Sequence, residues 1–98
     1  MSEEVFPILI VDDERNIRTG LAQALECDSY TIATAKDVDE ALELFRRTHH
    51  RLVLTDLKMP GGRSGIDLIR AIKDERPETL IIVMTAHATI ETAVEAMR

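Results

Sequence analysis

Two kinds of apolar pattern alternate along the chain. VFPILIV (5–11) is short, β-branched and apolar at every position, the pattern of a strand covered on both faces. Ile17, Leu21 and Leu25 then recur every four residues with Ala22 and Ala24 beside them, which predicts a helix of about three turns. YTIATA (30–35) is β-rich but only weakly alternating, hence a more exposed strand. Asp37 offers an N-cap with Glu40 three residues on, ahead of the stripe Val38, Ala41, Leu42 and Phe45. Leu52-Val53-Leu54 is a third apolar run, ending at Asp56. After a Pro-Gly-Gly loop (60–62), Ser64 and Asp67 predict a capped helix carrying Leu68, Ile69 and Ile72, closed at Pro77. LIIVM (80–84) is the fourth run, and Ile90, Ala93, Val94 and Met97 have the spacing of a fourth helix face.

The order is (βα)₄ with short connections. That favours a parallel sheet with right-handed crossovers and helices on both faces. Residues 1–98 are expected to form one small domain. The last helix meets Arg98 with no capping residue, so the domain is expected to be truncated at its C-terminus, leaving strand four as an open apolar edge.

Composition narrows the function. The chain is 45% hydrophobic but only 3% aromatic, so its core must be aliphatic. Twelve basic against eighteen acidic residues give −6, which argues against nucleic-acid or anionic-membrane binding and suits divalent cations or a basic partner surface. Cys27 stands alone, so no intramolecular disulfide can form; it is expected as a buried or half-buried residue at a helix end. No apolar run approaches the roughly 20 residues a membrane helix needs, and the start MSEEVFPILIV lacks the basic n-region of a signal peptide. A reducing, cytoplasmic setting is expected.

The candidate chemistry lies at strand ends, where open parallel sheets collect ligands. Strand one delivers Asp12 and Asp13, strand three Asp56, and strand four Thr85. Taken singly, each has an ordinary explanation: Asp12 and Asp13 as a solvated turn with an Asp N-cap, Asp56 as a turn residue before Pro60, Thr85 as a cap. Together, three carboxylates and a hydroxyl converging on one edge call for a hard cation. Mg²⁺ is typically held by one or two carboxylates, waters and a phosphate oxygen, so a Mg²⁺-dependent (or Mn²⁺-dependent) phosphoryl site with an Asp nucleophile is expected. His49 and His50 are expected as exposed loop residues, Met59-Pro60 as structural, and Glu43, Arg46 and Arg47 as a solvated helix face.

ILIVDDE (8–14), LVLTDLKMPG (52–61) and IIVMTAHATIETAVEAM (81–97) together resemble the receiver domain of bacterial two-component response regulators. The last stretch is most similar to receivers of sigma-54-dependent enhancer-binding transcriptional activators. The separations Asp13 to Asp56 and Asp56 to Thr85 suit that family. The resemblance implies a flavodoxin-like (CheY-like) doubly wound sheet of order 2-1-3-4-5. It implies Asp56 as phosphoacceptor from a sensor histidine kinase, with Asp12, Asp13, Asp56 and the Lys58 main-chain carbonyl as Mg²⁺ ligands. Thr85 would be the switch hydroxyl and Ala86 N–H a donor to the phosphoryl oxygens, with Lys58 and His87 side chains as modulators. Downstream ATPase and DNA-binding output domains are implied, and a homodimer is possible; the domain itself would touch no nucleic acid. The product is a signalling switch, not a metabolic enzyme.

Two departures stand out. Four residues (61–64) separate Pro60 from Gly65 where the family usually has three, which unsettles the start of the third helix. The family's invariant Lys, switch aromatic and fifth βα unit would fall beyond Arg98. A phosphorylation-independent interaction or dimerisation module is therefore the alternative. A haloacid-dehalogenase-type phosphatase is a distant third, because it needs DxDx[TV] after strand one and DDERN stands there.

Overall fold

The computed structural model describes residues 5–59 and 62–84. They form β1 (Phe6–Val11), α1 (Arg15–Leu25), β2 (Tyr30–Ala35), α2 (Val38–Thr48), β3 (Leu52–Thr55), α3 (Gly65–Glu75) and β4 (Leu80–Val83). The predicted fourth helix lies outside the described residues. The strands form one parallel sheet of order β2-β1-β3-β4. The aliphatic run of β1 is therefore interior, paired on both sides, and its residues 8–11 are all buried.

Period-two alternation divides the sheet into two faces. Leu9, Val11, Ala35 and Val53 face α2 and α3, whose Val38, Ala41, Leu42, Phe45, Leu68 and Ile72 complete a fully buried core. Burying each such large aliphatic or aromatic side chain contributes about 1.5–3 kcal/mol. Ile8, Ile10 and Leu54 face the other way, onto partly buried Leu21, Ala22 and Leu25 of α1. α1 has no buried residue and its Ile17 is 42% exposed, so the stripe predicted for this helix covers its face of the sheet incompletely.

The helix starts follow their capping residues. The Asp37 carboxylate accepts from Glu40 N–H at 2.8 Å, and Glu40 reaches back to Lys36 N–H at 3.0 Å. Ser64 and Asp67 form a reciprocal capping box, which fixes the first helical residue of α3 at Gly65. α3 ends at Glu75, just ahead of Pro77. The extra loop residue thus leaves the helix start well defined, with Gly62 in the left-handed region (φ 82°) and Arg63 paired to Asp39 of α2 at 2.9 Å.

Two expectations fail. Cys27 is exposed, because α1 ends at Leu25 and the turn to β2 runs over the surface. His50 is buried, not a loop residue in solvent. α2 ends on His49 in a left-handed conformation (φ 54°, ψ 59°), and the next ring packs onto Phe45 with centroids 6.4 Å apart. The expected solvated face of α2 holds: Glu43, Arg46 and Arg47 are exposed, Arg47 pairing with Glu43 and Arg46 with Glu75 of α3. Among the described residues β4 sits at the edge of the sheet, with Leu80 and Ile82 exposed.

Candidate functional site

The ladder register brings the acids together. Val11 pairs with Thr55 as the last residue pair between β1 and β3, so Asp12 and Asp56 leave the sheet side by side. Asp12 N–H donates to Ala35 O at 3.1 Å and Asp56 N–H to Val11 O at 3.1 Å, which extends the ladder up to the site itself. One carboxylate oxygen from each of Asp12, Asp13 and Asp56 lies within 4.8 Å of the other two. Asp12 is buried, Asp56 half-buried and Asp13 exposed, so the group grades from the protein interior to solvent.

Local structure holds Asp12 most tightly. Its Oδ1 accepts from Glu14 N–H at 2.9 Å, turning the chain into α1, and its main-chain carbonyl accepts from Arg18 Nη1 at 2.7 Å. Burial pushes the Asp12 carboxyl above the ordinary carboxylate range; the Glu14 N–H opposes this, and the charges of Asp56, Asp13 and Glu14 add to the rise. Among the described residues none of the three acids has an ion pair with Lys, Arg or His. The positive charge that would relax this site is therefore not supplied by a described side chain. An all-oxygen donor set open to solvent on one side suits a hard divalent cation.

On the loop after Asp56, Lys58 is exposed and its N–H donates to Asp56 Oδ1 at 3.3 Å. Asp56's own carbonyl accepts from the Thr55 hydroxyl at 2.9 Å. Leu57 O accepts from Gly65 N–H at 2.9 Å, so the first residue of α3 is tied to this loop. Met59 packs partly buried against the larger core, the structural part expected of it, while Pro60 is outside the described residues. A cleft of about 550 Å³ opens beside the acids, walled on its other side by Ile17, Leu21 and Met84. Met84 N–H donates to Thr55 O at 2.7 Å, which brings the end of β4 to the same edge. The predicted Thr85, Ala86 and His87 lie outside the described residues.

Sequence patterns did not single out Arg18, Thr55 or Gly65. Arg18 acts across six residues through a main-chain atom, and Thr55 sits within an apolar strand; neither belongs to a spacing motif. Gly65 was visible as the end of the Pro-to-Gly loop, but its contact with the Asp56 and Leu57 backbone is a tertiary fact.

Comparisons with known proteins agree with this geometry. Regulatory protein AtoC of Escherichia coli is 41% identical over 91 residues, covering 93% of this chain and 20% of AtoC. The crystal structure of NtrX from Brucella abortus superposes with a TM-score of 0.85 at 37% identity, over 96% of this chain and 22% of that one. The solution structure of the beryllofluoride-activated NtrC4 receiver domain dimer matches with a TM-score of 0.80 at 35% identity, over 94% of this chain and 75% of that one. The chain spans between a fifth and about a third of the length of the curated relatives it matches. Its sheet and helices have the flavodoxin-like architecture of CheY-type receivers. Since the family described as response regulator receiver domain matches residues 8–98, the chain belongs to that family of two-component signalling proteins.

Proposed function

We propose that this receiver accepts a phosphoryl group on Asp56 from a phosphohistidine of a sensor kinase. The observation that carries the reading is the convergence of Asp12, Asp13 and Asp56 within 4.8 Å at the carboxyl ends of β1 and β3. Asp56 is the half-buried member, reachable from the cleft and flanked by both other acids. An Asp56 carboxylate oxygen forms the new bond to phosphorus as the phosphorus–nitrogen bond breaks. The electron pair of that bond stays on the imidazole nitrogen, and the product is an acyl phosphate. Asp12 and Asp13 would hold a divalent cation together with Asp56 and the Lys58 carbonyl. Bound Mg²⁺ supplies neutralisation of the phosphoryl oxygens against three nearby carboxylates. Thr85, Ala86 and the modulating Lys58 and His87 keep the roles the family resemblance gives them.

The output is a change of partner contacts and not turnover of a metabolite. Relatives named as regulatory and transcriptional regulatory proteins support a transcriptional output; downstream ATPase and DNA-binding domains and a cytoplasmic setting are what the family resemblance implies. The NtrC4 receiver dimer and the exposed Leu80 and Ile82 on the β4 edge support a homodimer.

The test is to incubate the chain with Mg²⁺ and a small-molecule phosphodonor and weigh it. The expected product is a hydroxylamine-labile adduct of about 80 Da, one phosphoryl unit on an acyl phosphate, absent without Mg²⁺ and absent in Asp56→Asn. An adduct that persists in Asp56→Asn would remove Asp56 as acceptor. Steady hydrolysis of a phosphomonoester without an adduct would favour a phosphatase.

A further inference from the structure

We infer that Gly65 is a positioning residue for the acidic site: the first turn of α3 is seated on the peptide that follows Asp56, and only a residue without a Cβ can take that seat. This rests on the phosphoryl-site reading just given, but its physical basis is separate. A Cβ built on Gly65 overlaps the Asp56 carbonyl oxygen and comes within 2.8 Å of Leu57 Cα and 3.0 Å of the Asp56 carbonyl carbon. All three are backbone atoms, so no side-chain rotation relieves the overlap. The Asp56 carbonyl cannot swing aside freely either, because the Thr55 hydroxyl holds it at 2.9 Å.

The seat is fixed from both sides. Gly65 N–H donates to Leu57 O at 2.9 Å, while the Ser64–Asp67 capping box sets the helix start at this residue. Gly65 is itself buried and not in a left-handed conformation, so its need for glycine is one of space and not of backbone angle. Gly62 is the reverse case: its φ is 82° and a Cβ there meets nothing within 4 Å. Gly62 and Gly65 therefore divide the work. Gly62 lets residues 62–64 turn, and Gly65 brings α3 back onto the acceptor's backbone. Because Leu57 O is taken by Gly65, the loop's orientation relative to Asp12 and Asp13 is set from α3. A displacement of a few tenths of an ångström here moves the Asp56 carboxylate within a group only 4.8 Å across.

The experiment measures Mn²⁺ affinity of the 98-residue chain by water-proton relaxation, together with adduct formation from the small phosphodonor. Gly65→Ala is expected to weaken Mn²⁺ binding roughly 10- to 100-fold, the usual range for losing a group that orients metal ligands, and to slow adduct formation. Ser64→Ala, which removes the cap without entering the seat, is expected to lower the thermal midpoint while changing Mn²⁺ affinity by less than about twofold. If Gly65→Ala does not fold alone, the measurement is repeated in trimethylamine N-oxide, which favours compact states. Wild-type Mn²⁺ affinity in folded Gly65→Ala would overturn the inference. Failure to fold even in the osmolyte would also overturn it, in favour of a purely structural glycine. Mn²⁺ binding that is weakened by Gly65→Ala, in a wild type that never forms an adduct, would leave the seat standing and remove the phosphoryl reading. Absence of Mn²⁺ binding by the wild type would overturn both.

Discussion

Both ends of the sheet withdraw titratable groups from water, but they do so to opposite effect. At the carboxyl ends of the strands, Asp12 is buried beside Asp56 and Asp13, and its carboxyl is pushed up first by burial and then by those like charges. At the amino ends, His50 is buried beneath Phe45 and its imidazole is pushed down, first by burial and then by His49. Desolvation favours the neutral form in each case. The difference lies in the neighbours. The acid end gathers charges of one sign around a solvent-open cleft. At the amino end the cations have partners: Arg76 bonds His49 Nδ1 at 2.8 Å and pairs with Glu78, while the Arg51 guanidinium lies 5.0 Å from the Phe6 ring centroid. Unrelieved repulsion marks a place for a ligand; an isolated buried ring marks packing.

The sharpest way to break this contrast is Phe45→Ala. Phe45 is buried at the centre of the larger core and stacked against His50. Its truncation is expected to cost about 3–5 kcal/mol in urea denaturation, with divalent-cation affinity of the remaining folded protein unchanged. A loss of affinity without a loss of stability would make the amino end part of the functional site.

A middle-sized effect belongs to the cation. At pH 7, Mg²⁺ at a hundredfold excess over its dissociation constant is expected to stabilise the protein by about 2.7 kcal/mol, and Asp12→Asn is expected to lose most of that gain. Without Mg²⁺ the same substitution is expected to be neutral or stabilising, since it removes a buried like charge. The sign of the proton effect follows from the raised Asp12 pKa. The metal-free fold has Asp12's contribution below its unfolded value near 3.8 and loses it as pH rises through the higher folded value. Mg²⁺ stabilisation should therefore shrink as pH falls into that range, which thermal midpoints with and without Mg²⁺ will show.

The smallest effect is at His50. Its folded pKa is lowered, so its contribution is present above the unfolded value of about 6.5 and is lost as pH falls through the folded value. Stability should decline below about pH 6.5 with a slope of at most ~1.4 kcal/mol per pH unit for one proton. His50→Leu should flatten that decline and cost little at neutral pH, because it removes a buried Nδ1 that has no hydrogen-bond partner among the described residues. Urea midpoints between pH 5 and 7 decide it, and an unchanged slope would place the titrating group elsewhere.

Much of this was legible in the chain's own pattern. The all-apolar ILIV of β1 could only be an interior strand, since both of its faces had to be covered. Asp37 and the Ser64–Asp67 pair marked the starts of α2 and α3, because capping is settled within four residues. The acid positions followed from the same logic, as a carboxylate directly after a buried strand must emerge at its end. Where local pattern failed, the cause was long-range packing. His50 looked like a loop residue until β3 and the Phe45 ring closed over it, and Cys27 looked coverable until α1 ended two residues earlier.

The sequence by itself therefore determined the seven described elements, their parallel order of strand and helix, and the three acids at the strand ends. These depend on period, capping and chain direction, which are local properties. Only the tertiary structure decided which acid is buried, that Arg18 and Gly65 support the site through main-chain atoms, and that the two sheet ends differ in kind. Burial, close backbone approach and electrostatic coupling depend on distances between segments far apart in sequence, and those distances exist only once the sheet is assembled.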